Sequence, residues 1–220
     1  MIFDASLVVL AGGRGDRLKA YKPLLRVGGK YLIELVLKNL ASFFKEVIVV
    51  VREEWQKNLL AESIKTIYRD LNISYAIDVL SIEGPLAAMY TGALKSRELR
   101  IAVVPSDTPF LTHRAFLKMN LALSEGCEAV VPMWPGGFVE PTIAFYLREP
   151  LLRAIDRSIS MGEKSARSIL KYLNVTYVSA YALSQNPVKE FLNVNTYKDL
   201  IIAEDLAKEE SSSSLKVSKA

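Results

Sequence analysis

The chain has little of several things, and each shortage excludes a class of protein. Among 220 residues there is one cysteine, Cys127, and one histidine, His113. A single cysteine rules out an intrachain disulfide and a multi-cysteine metal centre, and a single histidine rules out a histidine-rich zinc site. No apolar run approaches the roughly 18 residues that argue for a membrane span, and the N-terminus lacks a basic stretch ahead of an apolar one. The expectation is a cytoplasmic chain with no membrane attachment. Charge of one sign is also scarce. Lysine and arginine exceed the acidic residues by only four, spread along the chain without a basic block or aromatic-basic interleaving. Nucleic acid is therefore not an expected partner, whereas a local basic pocket for a small anion is compatible.

What is present is a hydrophobic half and a charged quarter, enough for one sizeable core at this length. Val8–Leu10, Val47–Val51, Ile73–Leu80, Ile101–Val104 and Ala129–Val131 are short, mostly apolar runs of the kind buried on both faces of a parallel sheet. Between them lie helical spacings over 31–40, 55–70, 84–94 and 112–124, the last with Thr112 as its cap. This alternation predicts a doubly wound α/β fold, a mostly parallel sheet between two helical layers. The pattern breaks after Trp134-Pro135-Gly136-Gly137. Thr142–Tyr146 then reads as a strand reached without a long crossover, hence antiparallel to its neighbour. Helical stretches at 151–155 and 166–172, with a loop over 158–163, a strand at 175–181 and a helix at 196–206 complete a single domain over 1–208. Residues 209–220 read as a polar, serine-rich, disordered tail.

The chemistry concentrates at strand ends. Leu10-Ala11-Gly12-Gly13-Arg14-Gly15-Asp16-Arg17 follows the first strand, and Lys22-Pro23-Leu24-Leu25 comes next. Glycines let a backbone turn sharply and expose its N–H groups, and Arg14, Arg17 and Lys22 add positive charge, so a phosphate cradle outweighs an ordinary turn with solvated arginines. It is not a Walker loop, since no Gly-Lys-Ser/Thr follows. It is not a dinucleotide fingerprint either, since Leu18 stands where the third glycine belongs. Lys22, held by Pro23 and two leucines, reads as a fixed point charge for a phosphoryl group. Asp107, at the end of the fourth strand, reads either as a ligand for Mg²⁺ or as a cap on the following turn. Asp78 reads either as a base or ribose contact or as the start of a loop. Asn193 and Asn195 offer amides on one side of an extended chain, or cap the helix after them. Glu140 is a weaker candidate, and Trp134 belongs either to a cleft or to an interface. His113 has no serine or carboxylate partnership and Gly-x-Ser-x-Gly is absent, so a hydrolase triad is not expected.

Taken together, Leu10-Ala11-Gly12-Gly13, Arg17 and Lys22-Pro23-Leu24-Leu25 resemble the signature of sugar-nucleotide-type nucleotidyltransferases. Gly84-Pro85-Leu86-Ala87, Pro105-Ser106-Asp107-Thr108-Pro109-Phe110 and Asn193-Val194-Asn195-Thr196 resemble one branch, the molybdenum cofactor guanylyltransferases, over roughly the first two hundred residues. The resemblance implies a nucleotide-diphospho-sugar-transferase-like αβα fold. It implies transfer of GMP from GTP to the phosphate of molybdopterin-type cofactor, with Mg²⁺ required and pyrophosphate released. It further implies Leu10, Ala11, Gly12, Gly13, Lys22, Asp78 and Asp107 at the nucleotide, Lys22, Arg17 and Asp107 in catalysis, and Asp107 at the metal. Asn193 and Asn195 would face the acceptor, and other cofactor-assembly proteins would be partners. Lys19, Leu18, Ala88, Ser106 and Arg52 depart from the branch's usual residues. Other acceptors (a cobinamide phosphate, a cytidylyl partner, a sugar phosphate) and a nucleotide-binding regulator without catalysis are the alternatives.

Overall fold

A computed structural model describes residues 2–13, 15, 18, 20–64, 73–82 and 84–217, with side chains described as far as residue 209. Strand β1 (Phe3–Leu10) is followed by a one-turn 3₁₀ segment (Lys22–Leu24) and a small ribbon, β2 (Arg26–Val27) with β3 (Lys30–Tyr31). Then come α1 (Leu32–Leu40), β4 (Phe44–Val51), α2 (Glu54–Ile64), β5 (Ile73–Ile77), α3 (Pro85–Lys95), β6 (Arg100–Pro105), α4 (His113–Leu121) and β7 (Ala129–Met133). The last third comprises β8 (Ala144–Leu147), α5 (Arg148–Ser160), β9 (Val175–Ser179), the single turns α6 (Ala180–Leu183) and α7 (Pro187–Glu190), and α8 (Tyr197–Val217).

Seven strands form one sheet in the order β5-β4-β1-β6-β8-β7-β9. The first four are mutually parallel, and β7 is parallel to β9. The strand expected to run against the others does so: β8 is antiparallel to both β6 and β7. Alternation along β1 explains the two helical layers. Leu7 and Val9 point into a cluster with Ile33 and Val36 of α1, Leu60 of α2 and Phe116 and Met119 of α4. Val8 points the other way, into a cluster with Leu86 and Met89 of α3 and Leu151 and Ile155 of α5. Side chains of period two on a fully apolar strand leave neither face for water. Each fully buried Val, Leu or Ile here stabilises the fold by about 2 kcal/mol. Helix α3 lies very close to β1, for a Cβ at Gly92 would sit 2.3 Å from Val8 Cγ1. Only glycine permits that approach.

Several expectations need adjusting at element ends. Thr112 occupies the N-cap of α4, but its side chain makes no cap hydrogen bond. Its hydroxyl donates instead to Glu190 Oε2 at 2.8 Å, tying α4 to α7. Helix α5 continues to Ser160 and so absorbs the start of the expected loop, and the stretch expected as helix over 166–172 is a 3₁₀ segment, Ser168–Tyr172. The strand expected to reach Tyr181 stops at Ser179 and turns into α6. The last helix continues as far as Val217, into the serine-rich stretch. Residues 65–70 of the expected second helix lie outside the described residues. No described helix is long and apolar enough to cross a membrane.

The order of the sheet positions the site. Connections after β1 run outward to β4 and β5, whereas β6 lies on the other side of β1. In open α/β sheets that reversal opens a crevice beyond the carboxyl ends of the strands. Leu10 ends β1 in register with Pro105, which ends β6. The glycine loop and Asp107 therefore leave the sheet side by side.

Candidate active site

A cleft of 570 Å³ occupies this crevice, within the range of small-molecule sites. Leu10, Gly12, Gly13, Arg52, Asp78, Ile82, Gly84, Pro85 and Ala88 line it, together with Pro105, Asp107, Thr142, Asn193 and Asn195. The glycine loop is clamped by its neighbours. The Ala11 N–H donates to Val50 O at 2.8 Å, and Ser106 N–H donates to Leu10 O at 3.0 Å. The Tyr21 hydroxyl donates to Ala11 O at 2.8 Å, and burial raises its pKa above that of an ordinary phenol. Ala11 is thus fully buried behind the loop, whereas Gly12 and Gly13 meet the cleft. At Gly15, φ is +67° and a Cβ would fall 2.2 Å from the Ala20 carbonyl oxygen, so no other residue fits without moving the chain.

Gln56 escaped the sequence reading. It is fully buried, and its Oε1 accepts from Arg52 N–H at 2.8 Å and from Glu53 N–H at 3.1 Å. Its Nε2 donates to Gly12 O at 3.3 Å. One side chain therefore ties the β4–α2 turn to the glycine loop. The signal was available: a glutamine at the third position of a helix, reaching back to the residue before it, is half of a capping box.

Lys22, expected at the nucleotide phosphates, does not itself line the cleft but reaches two side chains that do. Its Nζ donates to Asp107 Oδ2 at 2.5 Å and to Asn195 Oδ1 at 2.6 Å. The lysine and aspartate side chains are only 17 % and 12 % exposed. Asp107 does not cap a turn with its other oxygen, because Oδ1 is buried with no hydrogen-bond partner. A carboxylate with one oxygen on a lysine and the other bare is open to a cation. Among the described residues no three His, Cys, Asp or Glu side chains gather into a metal cage. A lone carboxylate nonetheless suits Mg²⁺, which keeps waters and phosphate oxygens for most of its octahedron.

Asn193 and Asn195 flank Val194, which is fully buried with Phe110, Val27 and Ala203. Its N–H donates to Asp107 O at 2.9 Å. That anchor turns both asparagines toward the cleft. Neither side chain caps α8. The cap is made by Asp199 Oδ2, which accepts from the N–H groups of Asn195 and Thr196 and from the Thr196 hydroxyl.

Asp78 lies across the cleft beside Arg52. Its N–H donates to Val51 O, and its Oδ1 is buried without a partner. Burial pushes its carboxyl up to about 6, against smaller downward pulls from the Thr91 hydroxyl and the Arg52 charge. Gly84, with φ +107°, starts α3 at the same wall, and Pro85 fills the first turn. Arg14, Arg17 and Lys19 lie outside the described residues. Glu140 is not on the lining. It accepts from Trp134 Nε1 at 3.1 Å, and Trp134 packs edge-on against Tyr181 and Phe191. His113 stacks on Phe43, and Cys127 is buried. A second cleft, 640 Å³, opens between Met133, Val139, Leu170 and Tyr177, with Lys164, Arg167 and Lys171 at its edge. It shares no residue with the first, and Lys171 in it is paired with Glu163.

Residues 7–179 match the family model described as MobA-like NTP transferase domain. The chain belongs to that family. It is 31% identical over 199 residues to a probable molybdenum cofactor guanylyltransferase of Methanosarcina mazei, covering 89% of this chain and 88% of that one. It is 32% identical over 197 residues to a protein of the same description from Pyrococcus furiosus, covering 87% and 92%. The fold superimposes on molybdopterin-guanine dinucleotide biosynthesis protein A from Archaeoglobus fulgidus with a TM-score of 0.78 at 26% identity, over 93% of this chain and 99% of that one. The family's NTP-transferase chemistry fits a cleft lined by glycine main chain, two carboxylates and two asparagine amides.

Proposed function

We propose that the chain is a guanylyltransferase of molybdenum cofactor synthesis, joining GMP from GTP to the phosphate of a molybdopterin-type acceptor. The observation that carries this is the junction of Lys22 with Asp107 and Asn195, two residues that line the cleft, in a chain whose relatives bear that description. An acceptor phosphate oxygen attacks the α-phosphorus of GTP in line. A new P–O bond forms, the bond to the β-phosphate bridge breaks, and pyrophosphate leaves with the electron pair. The acceptor is already an anion, so the protein needs no covalent nucleophile.

The work of these residues is placement and charge. Gly12 and Gly13 bring main chain against the nucleotide, with Leu10 and Asp78 toward its base and ribose and Ala11 as the anchor behind. The N-terminus of α3, at Gly84-Pro85, adds a favourable dipole for phosphate. Lys22 offsets charge on the phosphates, and Arg17 is assigned to the same task. Asn193 and Asn195 border the acceptor side. Asp107, with its bare Oδ1, would hold Mg²⁺, which would supply charge neutralisation at the phosphates. The cytoplasm, among the proteins that assemble the cofactor, is the expected setting.

Pyrophosphate release tests the reading. Wild-type protein with Mg²⁺, GTP and molybdopterin-type acceptor turns over, and removal of the divalent metal by chelation stops it. Replacement of GTP by CTP, or of the acceptor by cobinamide phosphate or a sugar phosphate, gives at most a few percent of that rate. Preferred use of CTP or of another acceptor would overturn the assignment while keeping the chemistry.

A further inference from the structure

The two asparagines of the 193–195 segment look equivalent in sequence, but they make different contacts. Asn193 Nδ2 donates weakly to the nearby Phe191 carbonyl at 3.4 Å. Asn195, on the cleft lining, accepts from Lys22 Nζ, 173 residues away in the chain, at 2.6 Å. We propose that Asn195 is a positioning residue for the donor nucleotide, acting through Lys22, and that the acceptor-side role falls to Asn193. This rests on reading the cleft as a nucleotide site.

A lysine ammonium has three N–H donors in tetrahedral arrangement and no acceptor. Two of them are taken, by Asp107 Oδ2 and by Asn195 Oδ1. Two fixed directions on a tetrahedral nitrogen fix the third. A lysine held by Asp107 alone would still rotate about that contact, and its remaining protons would sweep a cone. With Asn195 in place, one proton is left and its direction is set. The ammonium also dictates the amide's orientation, since only the carbonyl oxygen can accept from it. The main chain of Asn195 is held independently, through its N–H on Asp199 Oδ2 and through the neighbouring Val194 N–H on Asp107 O. The side chain thus starts from a rigid platform, which a positioning contact requires.

The segment that faces the acceptor therefore also aims the lysine that faces the donor. Loss of the Asn195 amide frees Lys22 without unseating α8, whose cap uses the Asn195 main chain and not its side chain.

Equilibrium binding of GTP with Mg²⁺, without acceptor, tests this in four proteins: wild type, Asn195→Ala, Lys22→Ala and the double variant. Asn195→Ala is expected to weaken GTP about tenfold, the scale of one lost hydrogen bond to a charged group. In the Lys22→Ala background the same change costs less than twofold, because the lysine it acts on is gone. Thermal unfolding of Asn195→Ala stays within about 2 °C of wild type. Asn193→Ala instead raises the KM for acceptor. The proposal is overturned if Asn195→Ala leaves GTP affinity within twofold of wild type and raises only the acceptor KM. It is equally overturned if its effect persists undiminished without Lys22. Failure of the guanylyl assignment shows differently: wild type itself then prefers another nucleotide, and the four-protein cycle is run with that one.

Discussion

The donor wall of the cleft presents main chain, and the opposite wall presents side chains. On the donor wall, Gly12, Gly13 and Gly84 bring backbone to the surface, and the side chains of buried Gln56 and half-buried Tyr21 hold carbonyls of the loop in place. On the far wall, Asp107, Thr142, Asn193 and Asn195 project functional groups from loops, stitched together by one main-chain hydrogen bond between Val194 and Asp107. A backbone wall tolerates almost no change in residue at its turns, but little change in its supports either. A side-chain wall can alter its chemistry by single substitutions while its backbone stays put.

Lys22 and Asp107 form a nearly buried pair against the cleft, so their loss has the largest expected effect. Asp107→Ala and Lys22→Ala each lower the rate of transfer at least a thousandfold, read as pyrophosphate released per minute at saturating GTP. Each also leaves the other charge nearly buried and unmatched, at a cost of about 3 kcal/mol measurable by urea unfolding. Full activity in either variant would remove the junction from the mechanism.

Two glycines of the loop, of which only Gly13 lines the cleft, then separate folding from binding. Gly15→Ala forces a Cβ onto the Ala20 carbonyl in a left-handed conformation, and should weaken GTP about a hundredfold and destabilise the fold by about 2 kcal/mol. A Cβ at Gly13 meets no protein atom within 4 Å. Gly13→Ala should therefore leave the unfolding midpoint unchanged, and any loss of GTP affinity reports the nucleotide's own approach to the backbone. Unchanged affinity in Gly13→Ala would move the nucleotide off this loop.

Gln56→Ala probes the support behind the same wall. It strands the Arg52 and Glu53 N–H groups and releases Gly12 O. A stability loss of about 2 kcal/mol is expected, with GTP weakened about tenfold. A stability loss with unchanged nucleotide affinity would make Gln56 a structural residue only.

Much of this arrangement was legible in the sequence, and the reasons are physical. Unbroken apolar runs such as Val47–Val51 fit only a strand covered on both faces, so the parallel sheet could be read directly. The break after Trp134 announced the antiparallel β8. Glycine and charge at strand ends marked Gly12, Gly13, Lys22 and Asp107, because chemistry in such sheets sits at the carboxyl edge. What could not be read were contacts between residues far apart in the chain. Nothing near Asn195 says that its amide meets Lys22, and an expected helix cap was an equal reading until Asp199 was seen to provide it. Gln56 showed its capping half in the sequence, but not its reach to Gly12, 44 residues away. Thr112 looked like a cap from its position, yet its hydroxyl found a better acceptor in Glu190, which only the tertiary fold brings near.

The smallest expected effect is the most discriminating for the donor wall, and it turns on Asp78. Its carboxyl is raised from 3.8 to about 6, chiefly by burial. Between about pH 4 and 6 the native state then holds a proton that the unfolded chain has released. Stability must fall as pH rises through that window, and the whole penalty is present above it. Asp78→Asn removes the penalty, so at pH 7.5 the variant should be more stable than wild type by about 1 kcal/mol, with a discount for solvent at the cleft mouth. At pH 4 the two should unfold together. Binding should move in the opposite direction: if the bare Oδ1 accepts N–H groups of the base, Asp78→Asn weakens GTP at pH 7.5 while stabilising the protein. Wild-type affinity should then also decline as pH drops below 6. Urea unfolding and GTP titration at the two pH values read both signs. A variant that is more stable yet binds GTP as well as wild type would make Asp78 a buried carboxylate beside the cleft, leaving the donor wall to its backbone alone.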